Sequence, residues 1–319
     1  MKKIILLFGG LFFFIFILFY IVSQPLFPSF GEKKLGDQES AKRLKEHVEY
    51  LSKNLIPRNF VYPENLNKVA NYIEGIFKEN QARVEVQTYE LDYKNIIASY
   101  GPPSEKRIVI GAHYDAYREF PGADDNASGV AVLLELSRAF KNKAPPIQVD
   151  LVAYTLEEPP FFRTDMMGSF IHAQSLKEKN VQLKLMISLE TLGYFSDEKD
   201  SQEYPASFLK WVYGSRGDFI CIVGEMSDWF LVRDIKKTFH SHYSLPVQSM
   251  NVSSIVPGID FSDHLNYWKF AYPAVMISDT AFYRNKNYHS AEDTAEKLDY
   301  LKMSQVLGGV WQYVMENKN

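Results

Sequence analysis

Hydrophobic positions along the chain alternate between helical and strand spacing. Leu44, His47, Val48, Leu51 and Leu55 recur every three or four residues, and so do Val69, Ile73 and Phe77 within 66–78. This spacing predicts two amphipathic helices. Two strands follow, near 83–91 and 95–100, and Gly101-Pro102-Pro103-Ser104 makes a turn. From there strands and helices alternate. Strands are expected at 107–112, 147–155, 183–189, 219–223, 247–251 and 274–278. Helices are expected at 128–140, 167–177, 227–240 and 301–315. The alternation predicts an α/β fold: a mixed, mostly parallel central sheet flanked by helices on both faces. There is no internal repeat, and residues 40–319 read as one domain.

The first 23 residues follow a different pattern. Lys2 and Lys3 precede an uncharged apolar run from Ile4 to Val22. A run of about 20 such residues is long enough to span a bilayer as one transmembrane helix. A cleaved signal would have an apolar stretch of roughly 7–15 residues and a small-x-small cleavage site. The run here is longer and Tyr20-Ile21-Val22-Ser23-Gln24 lacks that triplet, which favours an uncleaved anchor over a removed signal. Positive charge prefers the cytoplasm, so the rest of the chain is expected outside the cytoplasm, membrane-tethered or, if the segment is removed, secreted. Residues 24–39, broken by Pro25, Pro28 and Gly31, read as a linker.

Composition narrows the picture. The 319 residues are 46% hydrophobic, enough for a sizeable core, and the net charge of −4 gives no case for nucleic-acid binding. The single cysteine, Cys221, excludes an intrachain disulfide and reads as a core thiol within Phe219-Ile220-Cys221-Ile222-Val223.

The chemistry gathers where apolar strands end. His113 follows Ile108-Val109-Ile110-Gly111-Ala112, and Asp115 lies two residues on. Metal-bound imidazoles usually donate their second N–H to a carboxylate, a partnership that His113 and Asp115 suit. Alone, the pair reads more readily as a solvated loop. Gly122-Ala123-Asp124-Asp125-Asn126-Ala127-Ser128-Gly129 leads into a helix, and two Asp plus Asn exceed what a helix cap needs. Glu157 and Glu158 end one strand and Glu190 another, and a carboxylate at an apolar strand end is costly unless paired or liganded. His289 lies in a polar loop, His240 and His242 read as surface residues, and His47 and His172 as packed or solvated helix residues. His264 shares the C-terminal third with His289 and is a candidate pocket residue.

Taken in order, these segments resemble the zinc aminopeptidases of metallopeptidase family 28, to which glutaminyl cyclases are related. The resemblance rests on Gly111-Ala112-His113-Tyr114-Asp115, Gly122 to Gly129, Glu157-Glu158-Pro159-Pro160, Ser188-Leu189-Glu190 and Tyr288-His289-Ser290-Ala291-Glu292-Asp293-Thr294. It continues through Phe261-Ser262-Asp263-His264 and covers roughly 40–319. Leu156, Arg163 and Ala271 depart from the usual pattern, and every ligand type is kept.

The resemblance implies a zinc exopeptidase fold and a peptide substrate. It implies two zinc ions bridged by Asp125, with His113 and Glu190 completing one site and Glu158 and His289 the other. Glu157 would be the catalytic base, with Asp115 orienting His113. Tyr283 and Tyr288 are candidate oxyanion donors. Arg284 is a candidate for a substrate carboxylate, with a surface ion pair as its plainer role. Two alternatives stand beside aminopeptidase action: cyclisation of N-terminal Gln with one zinc, and a non-catalytic binding ectodomain. Oligomeric state is not legible.

Overall fold

The structure, a computed structural model, describes residues 32–317 apart from Leu91, Glu105, Ser254, Ile255 and Pro257, together with scattered residues between 9 and 25. The expected anchor at 4–22 falls largely outside the described residues. Among the described residues, no helix is long and apolar enough to cross a membrane.

Two helices open the fold, α1 (Gln38–Glu49) and α2 (Pro63–Glu79). Asp37 caps α1 by accepting the Ser40 amide at 2.8 Å, and Leu44 and Val48 on its inner stripe are fully buried. An eight-stranded sheet follows, made of β1 (Arg83–Tyr89), β2 (Tyr93–Tyr100), β3 (Lys106–His113), β4 (Val149–Tyr154), β5 (Gln182–Glu190), β6 (Ile220–Gly224), β7 (Val247–Asn251) and β8 (Ala274–Ser278). Between and after the strands come α3 (Gly129–Asn142), α4 (Gly168–Glu178), α5 (Leu209–Tyr213), α6 (Trp229–His242), α7 (His264–Lys269) and α8 (Tyr300–Glu316).

The strand order is β1-β2-β4-β3-β5-β8-β6-β7. The central block β4-β3-β5-β8 is parallel, whereas β1, β2 and the β6–β8 pairing are antiparallel. Strand alternation divides the core in two. Ile108 and Ile110 face the larger core, with α1, α2, α3, α6 and α8. Val109 and Met186 face the smaller one, with α4 and Tyr267 of α7. Being covered on both faces explains why these strands read as unbroken apolar runs.

Every strand and helix expected from periodicity is present, with ends shifted by a few residues. The short helices α5 and α7 were not expected, because five or six residues are too few for a helical stripe to show. The parallel block matters most for function. It puts the carboxyl ends of β4, β3, β5 and β8 on one edge of the sheet, where open α/β sheets place their ligands.

Candidate metal centre

His113 is the last residue of β3, and its imidazole is fully buried at that edge. Nδ1 lies 3.2 Å from the Asp115 carbonyl oxygen and 3.5 Å from its carboxylate. The Asp115 carboxylate in turn accepts the backbone amides of Glu157 (3.2 Å) and Glu158 (3.0 Å). Asp115 thus does more than the sequence suggested: it ties the paired glutamates beyond β4 to the end of β3.

Asp125 arrives on the turn before α3. Gly122 opens that turn at φ +56°, a left-handed conformation that glycine adopts without strain. Asp293 accepts the amides of Asp124 (3.0 Å) and Asp125 (3.1 Å). Asn126 bonds the Leu189 carbonyl (2.8 Å) and the Thr191 amide (3.2 Å), either side of Glu190 at the end of β5. A Cβ on Gly129 would stand 2.6 Å from the Leu189 carbonyl oxygen, so only glycine lets α3 approach β5 this closely.

These contacts bring five expected residues together. His113 Nε2 lies 3.3 Å from Asp125 Oδ1 and 3.3 Å from Glu190 Oε2. His289 Nε2 lies 3.0 Å from Asp125 Oδ2 and 3.1 Å from Glu158 Oε2. The two carboxylate oxygens of Asp125 therefore face two different ligand sets, and within each set the donor atoms lie within 4.8 Å of one another. Glu157 Oε2 stands 3.9 Å from His113 Nε2 without belonging to either set. Tyr117 and Tyr288 sandwich the His289 ring, with centroids 4.1 and 3.9 Å away.

The donor set suits zinc. Imidazole and carboxylate are its usual non-thiolate ligands. His113 Nε2, His289 Nε2, Asp125 Oδ2 and Glu158 Oε1 are buried without a hydrogen-bond partner, which is costly unless a cation completes them. The electrostatics agree. Burial, then repulsion from Asp125, pushes Glu158 up to about 8. Burial, with repulsion from Glu190 and Glu158, holds Glu157 well above the carboxylate range although His113 opposes it. Burial opposes charge on His289, but the adjacent carboxylates of Asp125 and Glu158 raise it to about 10. Asp125 is drawn down by His113 and His289 despite its burial. Without a metal, the cluster has to take up protons to supply the positive charge it lacks.

Several supporting residues escaped the sequence reading. Ser262 donates to Glu190 Oε2 at 2.8 Å and is itself paired with Ser188 at 2.8 Å. Asp263 is fully buried, neither of its oxygens has a partner, and burial raises it to about 7. Fully buried Arg58 donates to the carbonyls of Tyr114, Leu51, Pro121 and Gly122, which fixes the loop between His113 and Asp125. Ser262→Ala should weaken metal affinity roughly tenfold with the fold intact, the usual consequence of removing a hydrogen bond to a ligand. Metal titration beside a thermal melt checks this, and unchanged affinity would remove Ser262 from the site.

The expected pocket residues divide. Tyr283 and Tyr288 line a cavity that reaches Glu190, and Cys221, buried as expected, lines it too. His264 does not line it. It is fully buried, its Nε2 2.7 Å from the Ile259 carbonyl oxygen and its ring edge-on to Trp268. Arg284 makes no surface ion pair. Its guanidinium is buried over the Phe219 ring at 4.6 Å and bonds Gln202 (2.8 Å) and the Tyr194 carbonyl (3.2 Å). A cavity wall built of aromatic rings drew Arg284 inward, which sequence alone does not reveal. His242 pairs with Glu316 at 2.8 Å, His47 with the Tyr72 hydroxyl at 2.6 Å, and His172 with the Tyr267 hydroxyl at 2.6 Å.

The parallel sheet edge and the two ligand sets sharing one aspartate define a metallopeptidase-like centre. Residues 95–314 match the model of peptidase family M28, and the chain belongs to that family. It is 46% identical over 331 residues to the uncharacterized protein YfbL of Escherichia coli (strain K12), covering 100% of both chains. It is 26% identical over 240 residues to leucine aminopeptidase 1 of Blastomyces gilchristii, covering 71% of this chain and 56% of that one, so the chain spans little more than half that aminopeptidase's length. A glutaminyl cyclase of Bacteroides thetaiotaomicron, solved with N-acetylhistamine, has the same fold: TM-score 0.67 at 18% identity, covering 90% of this chain and 100% of that one.

Proposed function

We propose that the chain is a zinc-dependent aminopeptidase that removes N-terminal residues from peptides at a two-zinc centre. The observation that carries this reading is Asp125, whose Oδ1 and Oδ2 each face a separate His-plus-Glu set. His113, Asp125 and Glu190 would hold one ion, and Asp125, Glu158 and His289 the other. Bound there, the metal pair would supply Lewis acidity for the scissile carbonyl and for the attacking water.

The remaining work falls to this chain's side chains. Glu157 lies 3.9 Å from His113 and belongs to neither set, so its carboxylate takes the water proton and passes it to the departing amine. Burial and the surrounding carboxylates keep the Tyr288 phenol protonated, so it can donate a hydrogen bond beside the centre. The cavity reaching Glu190 is lined by Tyr204, Phe219, Met250, Ile259, Met276 and Phe282, which suits an apolar first side chain. The apolar run at 4–22 supports a location outside the cytoplasm, tethered to the membrane or, if the segment is removed, secreted.

Glutaminyl cyclisation is the second reading, favoured by the shared fold with the cyclase and by the completeness of the Asp125–Glu158–His289 set on its own. One panel separates the two. With Leu-Gly and Gln-Gly peptides, we expect release of free Leu and two zinc ions per chain. Loss of ammonia from Gln-Gly with no Leu released, at one zinc per chain, would decide for the cyclase.

A further inference from the structure

Besides the cavity at Glu190, a second, open groove lies beside the metal centre. Three segments line it, bringing Phe60 and Tyr62, Tyr117 and Phe120, and Pro159 and Pro160. It borders the centre through shared residues. A smaller recess lined by Asp125 and His289 shares Tyr117 and Phe120 with the groove, Tyr117 stacks on His289, and Pro159 directly follows Glu158. The first cavity reaches the ligand cluster at Glu190, whereas the groove lies on the side of His289 and Glu158, sharing Tyr117 with the recess at His289 and holding Pro159 next to Glu158. A peptide whose first side chain fills the cavity has to send the rest of its chain elsewhere, and this groove lies beside the other ligand set.

The groove is held open by buried bonds. Arg58 donates to the carbonyls of Pro121 and Gly122, and Asn59 to that of Arg118, so the 58–62 segment is fastened to the 117–122 loop. Phe60 packs edge-on against Phe161 at 5.2 Å, and the Tyr62 hydroxyl bonds Glu119 at 2.5 Å. Yet apolar surface is left to solvent: Val61 is 60% exposed, and Phe60 and Tyr62 are 36% and 37% exposed. The two charged lining residues are both engaged, Glu119 with Tyr62 and Arg118 over the Tyr117 ring at 5.0 Å. A lining of this kind suits apolar and aromatic side chains rather than charged ones.

We infer that this groove receives the departing part of the peptide and selects substrates whose second residue carries a large apolar side chain. The inference rests on the aminopeptidase reading. Its test compares Leu-amide, Leu-Gly-amide and Leu-Phe-amide with the zinc-loaded full chain. The expected kcat/KM for Leu-Phe-amide is about tenfold above that for Leu-Gly-amide, as partial burial of one aromatic ring would give. Val61→Asp and, separately, Phe60→Ser should bring that ratio near one while Leu-amide, which has no second residue, is cleaved as before. Val61 is exposed enough for its variant to fold, and a thermal melt confirms it. Equal wild-type rates on the two dipeptide amides, or a ratio that survives both substitutions, overturns the inference and leaves the aminopeptidase reading standing if Leu-amide is hydrolysed. A changed oligomeric state with an unchanged ratio assigns the surface to a second copy and also overturns it. No hydrolysis of any of the three removes the reading itself, and the inference with it.

Discussion

Glu157→Gln is expected to lower kcat by about three orders of magnitude, within the range that general acid–base groups contribute, while metal still binds. The substitution is nearly isosteric and leaves all five donors of the two ligand sets in place, since Glu157 belongs to neither. Its backbone amide keeps the bond to Asp115 that anchors the loop. What is lost is an acceptor for the water proton near the cluster. In the metal-free protein burial and the neighbouring carboxylates hold Glu157 well above the carboxylate range although His113 opposes it, and in the working enzyme a neutral amide cannot accept the proton. KM should change little if the residue acts on the proton rather than on the peptide. A steady-state comparison with metal analysis of the same sample is decisive. A variant that holds its metal and retains more than a tenth of wild-type kcat would take the base role away from Glu157.

Stripping the metal should abolish activity and change the way stability depends on pH. In the metal-free protein Glu158 is raised to about 8 and His289 to about 10. A group whose folded pKa is raised binds its proton more tightly in the native state, so its contribution is complete below the unfolded pKa and fades as pH rises through the folded value. For Glu158 that window runs from its ordinary value of 4.5 to about 8, and for His289 from 6.5 to about 10. The metal-free form should therefore lose stability as pH climbs from 5.5 to 8.5. Metal binding needs the same groups deprotonated, so zinc should stabilise the protein increasingly over that interval. At a thousandfold excess over Kd the gain would reach about 4 kcal/mol. Thermal melts with chelator and with zinc at pH 5.5 and 8.5 measure it. A zinc-induced Tm shift equal at both pH values, or larger at 5.5, would contradict the assignment of Glu158 and His289 as ligands.

Much of the centre was legible because each donor breaks a strong local pattern. His113 and Glu190 end runs of residues buried on both faces of the sheet, where a polar side chain is conspicuous. Asp125 stands in a run of small and acidic residues richer than a helix cap requires. The supporting residues carry no such signal. Arg58, Tyr117, Asp293 and Ser262 lie in loops; Asp293 and Ser262 fall within segments that carry the family resemblance, but no local pattern assigns any of the four its role. Arg58 in particular reads as a solvated cation, yet it is buried among carbonyls 56 to 64 residues away. Arg284 misled in the same way, since its aromatic neighbour Phe219 lies on a different segment.

The sequence by itself determined the alternating elements, their order and the chemical types of the ligands, because periodicity and apolar runs are local properties of the chain. Tertiary structure decided how they meet. The parallel order β4-β3-β5-β8 brings residues 113, 158 and 190 to one sheet edge. The amides held by Asp293 and the side-chain bonds of Asn126 then fix Asp125 between two histidines. Its two oxygens, 3.3 and 3.0 Å from those rings, set one carboxylate between two candidate sites, the bridge of the proposed two-zinc centre. That bridge, the aromatic sandwich around His289 and the groove at Pro159 all depend on segments far apart in the chain, so only long-range packing could set them.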